Sequence, residues 1–249
     1  MVHGAEWVLL VAAGFGAGAV NAVAGGGSLL SFPALLAVGY GAVPANVTNM
    51  IAVLPGYAGG SLAYRDELRG QGRRVRELGL VSAVGAAIGT ALLLLGPRHV
   101  FRSLAPWLIL VACATLAARP LLAKRRPEPV AGGRSHGGLL ATVGLGGVYG
   151  GYFGAGLGIM LLALLGAFVD DDLQRLNALK GLLSLIVAVV TAVGVAIFGP
   201  VAWGPALAMA AAALVGGHLG VGVARRLPEP VLRWAIVVYG VGVAIALLG

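Results

Sequence analysis

Ten apolar segments follow one another along the chain, at about residues 7–24, 28–38, 46–64, 78–96, 103–122, 138–152, 155–169, 176–198, 202–223 and 231–248. Six of them are long enough to cross a hydrocarbon core of ~30 Å as helices. The first two segments of each half are short and flanked by glycine. None shows the strand-length alternation of a membrane β-barrel. The pattern predicts an all-α polytopic membrane protein with two kinds of helix, full spans and short broken pairs.

Composition agrees. Hydrophobic residues make up 59% of the chain and charged residues only 10%, with a mean hydropathy of +0.96, whereas soluble domains carry about 25% charge. The net charge of +8 would suggest nucleic acid in a soluble protein. Here the arginines cluster between apolar segments, which the positive-inside rule explains without a nucleic-acid partner. The opening MVHGAEW has no basic stretch, so a cleaved signal peptide is not expected. Cys113 lies alone within an apolar run and reads as a small hydrophobe. No cofactor or metal motif is present, and no P-loop that would couple ATP directly to this chain.

The basic residues assign sides. The loop at 65–77 (RDELRGQGRRVRE), the linker at 119–138 and the stretch at 225–233 are arginine-rich and predicted cytoplasmic; FGPVAWGP, at 198–205, carries no charge and is predicted outside. Parity then requires residues 138–169 to return to the side they leave, and puts both termini outside. A gapless shift of 131 residues superposes Gly16 on Gly147, Gly25 on Gly156, Gly27 on Gly158, Asn46 on Asn177, Pro97 on Pro228 and Arg102 on Arg233. The first copy's loop at 65–77 is basic while its counterpart at 196–208 is uncharged. Two inverted-topology repeats are expected, at 1–118 and 137–249, joined by a cytoplasmic linker at 119–136. Each holds a short glycine-broken helix pair and three full transmembrane helices. Such an arrangement is the signature of a secondary transporter.

The residues that carry the pattern resemble a known family. GFGAGAVNAVAGGGSLLSFPALL and ANVTNMIAVLPG in the first half, with GVYGGYFGAGLGIMLL and LNALKGLLSL in the second, are similar to the TauE/SafE sulfite exporter family of permeases. GGHLGVGVARRLPEPVLRW resembles its C-terminal pattern. The resemblance covers essentially the whole chain. It implies a multi-pass protein of the bacterial inner membrane that moves a small inorganic or organic sulfur anion, such as sulfite, a sulfonate or sulfoacetate.

The breaks suggest how an anion is held. Three adjacent glycines weaken a helix by roughly 1 kcal/mol each relative to alanine, so Gly25, Gly26 and Gly27 interrupt the first segment. A helix restarting there presents amide N–H groups and about half a positive charge, a ready anion site. Gly154, Gly156 and Gly158 make the second break. Asn21 and Ser28 flank the first; Asn46, Thr48 and Asn49 open the next span, and Asn177 and Lys180 open its copy, with Lys180 in the register of Asn49. These thirteen residues are the candidate substrate-binding set. Each has a plainer reading: glycines pack helices, as expected for Gly85, Gly89, Gly216 and Gly220; Asn46 and Asn177 cap helices; Lys180 anchors a helix end. His218 is more readily structural than a proton carrier, and Asp170, Asp171 and Asp172 read as a solvated loop.

An anion channel on the same scaffold and a non-transporting membrane partner subunit are the alternative functions. An enzyme is not expected, because no HExxH, GxSxG or paired intramembrane aspartate is present. A homo-oligomer is compatible with the sequence; the lipid bilayer is the one macroscopic partner it demands.

Overall fold

The computed structural model describes residues 3–23, 26–124, 135–224 and 229–248, so Gly25 and the greater part of the predicted linker lie outside the described residues. The described residues form ten α-helices: α1 (Gly4–Val23), α2 (Ser28–Ala37), α3 (Ala42–Ala63), α4 (Gly72–Leu95), α5 (Arg98–Lys124), α6 (His136–Tyr152), α7 (Leu157–Phe168), α8 (Leu173–Phe198), α9 (Trp203–Ala224) and α10 (Glu229–Leu248). The shift of 131 residues carries the starts of α3, α4 and α5 (42, 72 and 98) onto those of α8, α9 and α10 (173, 203 and 229).

Stretches of α1, α4, α5 and α8 are long and apolar enough to cross a membrane. The inclusion of α1, 20 residues long, corrects the expectation that the first segment is short. Its glycines do not break it because they pack: a Cβ on Gly18 would overlap the Ala213 carbonyl of α9, and one on Gly14 would lie 2.7 Å from the Met209 carbonyl oxygen. α2 and α7 are the short helices, at 10 and 12 residues.

Small residues set the contacts between helices, as expected where lipid gives no hydrophobic drive for helices to associate. α1 lies against α9 with Gly14 at Met209 and Gly18 at Ala213, so both chains run the same way. α4 lies against α6 likewise: Gly144 meets Val81, Gly147 meets Ser82, and Gly89 meets Val148 and Tyr152. These contacts bear out the packing role of Gly85 and Gly89, and Gly216 packs on the Phe15 backbone; the surroundings of Gly220 lie outside the described side chains. The opposite face of α4 presents Leu80, Val84, Ile88, Leu92 and Leu95, all exposed, which makes it the lipid-facing side. Trp7, Trp203 and Trp234 are also exposed and lie in the first two turns of their helices, as interfacial aromatics do; Trp107 is exposed further along α5.

α3 and α8 cross at the centre of the molecule in opposite directions. Thr48, early in α3, accepts a hydrogen bond at 3.0 Å from the Ala202 amide just beyond α8. Gly181, early in α8, faces Ser61, late in α3. The two ends of the bundle therefore differ. At one end the α3–α4 connection is tied to the α7–α8 turn: Asp171 pairs with Arg74 at 2.5 Å and Arg175 at 3.0 Å, and Gln71 Nε2 donates to the Arg175 carbonyl at 3.3 Å. At the other end the α8–α9 connection sits on α3, and Trp7 packs against Gly204. Burial pushes the Asp171 carboxyl up, but the hydrogen bonds from Arg74 and the Asp172 amide and the charges of Arg175 and Arg74 outweigh it and hold its pKa below the usual range.

Sidedness is open to a direct check. In a Cys113→Ala background, single cysteines replacing exposed Arg73 and Asp172 should react with an impermeant thiol reagent from the same side of the membrane, and one replacing Pro200 from the other. Labelling of the Arg73 and Asp172 positions from opposite sides would contradict the antiparallel crossing of α3 and α8.

Candidate functional site

Backbone that leaves a helix inside a bilayer must find other partners for its polar groups. Each break recruits an asparagine. Across the first, Asn21 Oδ1 accepts from the Gly27 amide at 2.9 Å. At the second, Asn46 Nδ2, reaching over from α3, donates to the Tyr152 carbonyl at the end of α6 at 3.0 Å. The turn that follows closes on itself, with the Phe153 and Gly154 amides donating to the Tyr149 carbonyl and the Tyr149 hydroxyl donating to the Ala155 carbonyl at 2.6 Å. Gly154 and Gly156 take φ values of +77° and +74°, the left-handed region that glycine alone enters at no cost.

The two breaks meet. A Cβ on Gly26 would lie 3.4 Å from Ile159 Cδ1 in the first turn of α7, and Phe32 of α2 stacks edge-on against Phe153 at 5.4 Å. The first-turn amides of both short helices are partly engaged. Leu29 and Leu30 donate to Gly26 and Gly27, and Leu157 and Ile159 to Gly154 and Gly156. The helix-end amides therefore offer fewer free donors than the glycine breaks alone suggest.

Between the breaks and the α3–α8 crossing lies a cavity of about 20 Å³; one water needs roughly 10–15 Å³ by this measure. Its polar wall is formed by Ser28, Asn49, Tyr57, Ser184 and Thr191, with Gly154 and apolar residues completing it. Ser31 donates to Asn49 Oδ1, which leaves the Asn49 NH₂ group as the end that carries donors. The Tyr57 hydroxyl meets the Ser28 side chain. Ser184 is 1% exposed, and its hydroxyl has no hydrogen-bond partner among the described residues.

The family model of the sulfite exporter TauE/SafE matches residues 10–247. The chain belongs to that family. Its relatives include a probable membrane transporter protein, ORF9, of Sinorhizobium sp., 26% identical over 244 residues covering 96% of this chain and 91% of the relative. A second, from Haemophilus influenzae (strain ATCC 51907 / DSM 11121 / KW20 / Rd), is also described as a probable membrane transporter protein; it is 25% identical over 237 residues, 92% of this chain and 89% of its own length. No solved structure matches. The protein is thus a polytopic helical membrane protein of a transporter family.

Within this TauE/SafE chain the predicted residues separate by position. Ser28, Asn49 and Gly154 line the cavity. Asn21, Gly26, Gly27, Asn46, Gly156 and Gly158 build the two breaks around it. Thr48 holds the α8–α9 connection instead. Asn46 and Asn177 are not helix caps, because α3 starts at Ala42 after Gly41 and α8 is capped by Asp172, which accepts from the Gln174 amide. Lys180 Nζ donates to Asn177 Oδ1 at 3.4 Å, one turn from Ser184 and off the cavity wall. His218 is exposed. The reading of the sequence missed Tyr57, Ser184 and Thr191. A helical-wheel signal was there: Asn46, Asn49, Val53 and Tyr57 share one face of α3, and Asn177, Lys180, Ser184 and Thr191 one face of α8.

Two adjacent glycines should respond differently. A Cβ on Gly27 would overlap the Ala17 carbonyl of α1, whereas one on Gly26 finds only side-chain ends at 3.4 Å or more. Gly27→Ala should therefore lower the thermal stability and yield of the purified protein sharply, and Gly26→Ala should leave both near wild type. Equal stability of the two variants would mean that α1 does not press on the break.

Proposed function

We propose that the protein is a secondary transporter that carries a small sulfur-containing anion across the bacterial inner membrane, binding it in the cavity where the two broken helices meet. The observation that carries this reading is the wall itself. A cluster of hydroxyl and amide donors, among them the buried Ser184 hydroxyl with no partner among the described residues, sits at the junction of two helix N-termini. A polar cluster at that depth is costly unless it serves a ligand.

The two halves are read as inverted repeats, 1–118 and 137–249, with both termini outside and the arginine-rich connections in the cytoplasm. The common register of helix starts, the parallel pairing of α1 with α9 and of α4 with α6, and the opposed directions of α3 and α8 support that reading. On that reading each repeat contributes one break and one polar face to the cavity. The polar wall lies between two broken helices, the placement that secondary transporters use for a site reached from alternate sides.

The test is flux in proteoliposomes. Sulfite should accumulate against its own gradient when a proton gradient is imposed; equilibration without accumulation would make the protein a channel. Asn49→Leu should raise the half-saturation concentration about tenfold or more, since a hydrogen bond to a charged group contributes on the order of 1.5–3 kcal/mol. Lys180→Met should have the smaller effect, its ammonium being held at Asn177. A larger effect from Lys180→Met would move the anion away from the cavity and toward the start of α8.

A further inference from the structure

A buried hydroxyl or amide oxygen left without a hydrogen bond is destabilising, and in a native structure each one needs an account. From the cavity to the Asp171 end of the bundle such groups stand in order. Ser184 Oγ is at the cavity wall, Ser61 Oγ lies one turn of α3 beyond Tyr57, and Gln71 Oε1 lies just before α4. All three residues are nine-tenths or more buried, and none of these atoms has a partner among the described residues. The two central helices touch here: a Cβ on Gly181, three residues before Ser184, would lie 3.8 Å from Ser61 Oγ. Because α3 and α8 run in opposite directions, Ser61 and Gly181 are both on the Asp171 side of the cavity. Asn21 Nδ2 and Asn46 Oδ1 also lack partners, but their side chains are fixed at the two breaks, and Ser82 Oγ lies at the α4–α6 contact.

Resting on the transporter reading, we infer that the seam between α3 and α8 on this side is the path by which the anion enters or leaves the cavity, and that Asp171 is the latch that holds it shut. In a permanent contact, alanine at 61 and 184 would pack without stranding a hydroxyl. Hydroxyls there serve when the helices part, because each can donate to an oxoanion or to the water that accompanies it. From Ser184 back to the start of α8 the seam extends for roughly 16 Å, and Asp171 sits at its outer end. There Asp171 joins the first turn of α4 to the first turn of α8, pairing with Arg74 at 2.5 Å and Arg175 at 3.0 Å, while Gln71 Nε2 donates to the Arg175 carbonyl at 3.3 Å. Both arginines reach water, so the tie can exchange partners. A carboxylate presents to arginine the negative charge and oxygens that a small oxoanion also presents. An anion arriving at this mouth therefore competes with Asp171 for Arg74 and Arg175.

Thiol labelling tests the seam directly. In a Cys113→Ala background, Ser61→Cys is reacted with a small, negatively charged methanethiosulfonate reagent, using the purified full-length chain in lipid nanodiscs, where both faces are open to the reagent. Adding Asp171→Asn should raise the labelling rate about fivefold, the size expected from losing two partly exposed ion pairs. Ser82→Cys, also buried but off the seam, should stay slow with and without Asp171→Asn. Arg74→Gln removes one arm of the latch at a half-exposed side chain; it should raise the Ser61→Cys rate by a smaller factor, and it carries the test if Asp171→Asn fails to fold. An unchanged Ser61→Cys rate in the folded latch variants, or equal acceleration at Ser82→Cys, overturns the inference. If sulfite is transported while that rate stays unchanged, the path lies elsewhere and the transporter reading stands. If neither sulfite nor methanesulfonate is transported, the transporter reading falls and takes the path with it.

Discussion

The hydrogen bond from the Gly27 amide to Asn21 Oδ1 answers the constraint on which the rest of the structure depends: inside a bilayer no polar backbone group can turn to water. A helix interrupted at such depth is tolerable only if its own chain closes the gap. Asn21 does so at the first break, and Asn46 does so at the second by reaching from α3 to the last carbonyl of α6. Once both breaks are stitched, two short helices can begin in the interior with their N-termini converging. The tightness of the arrangement follows from the same need, since α1 comes so close to Gly27 that there is no room for a side chain there.

From that junction the division of labour among the helices follows. α1 with α9 and α4 with α6 form two tight, glycine-faced pairs whose outer surfaces carry large aliphatic residues. α3 and α8 cross between them and bring their polar faces to the cavity. The ends of the crossing are closed differently. One end is tied by Arg74, Asp171, Arg175 and Gln71, and the other by a hydrogen bond between Thr48 and the Ala202 amide together with apolar packing. The proposed carrier reading takes these as the two sets of contacts that open in turn.

Much of this architecture is legible in the sequence because it is written in residue types that are rare for a reason. Three adjacent glycines in an apolar run, arginines confined to connections, and a register of 131 residues shared by glycine, asparagine and proline all reflect backbone or membrane constraints that few other residues satisfy. The site was less legible. Asn49 and Ser28 could be picked out because they stand beside the breaks. Ser184, Tyr57 and Thr191 are single polar residues within long apolar helices, and only the phase of α3 against α8 brings them together. Lys180 attracted notice as a cation in an apolar segment, yet the helix carries it a turn away from the wall, to Asn177. The length of α1 was misjudged because its segment ends at a glycine break, yet the helix is 20 residues long.

The central claim is a location, and selenium can report it. Selenite has the shape and chemistry of sulfite and scatters anomalously. Crystals of the full chain soaked with selenite should give an anomalous peak between α2, α3, α7 and α8, within hydrogen-bonding distance of Ser28, Asn49 and Ser184, with the two halves separated enough to admit it. A peak instead at Lys180 and Asn177, or at the Arg74–Asp171–Arg175 end, with the cavity still closed, would contradict the account.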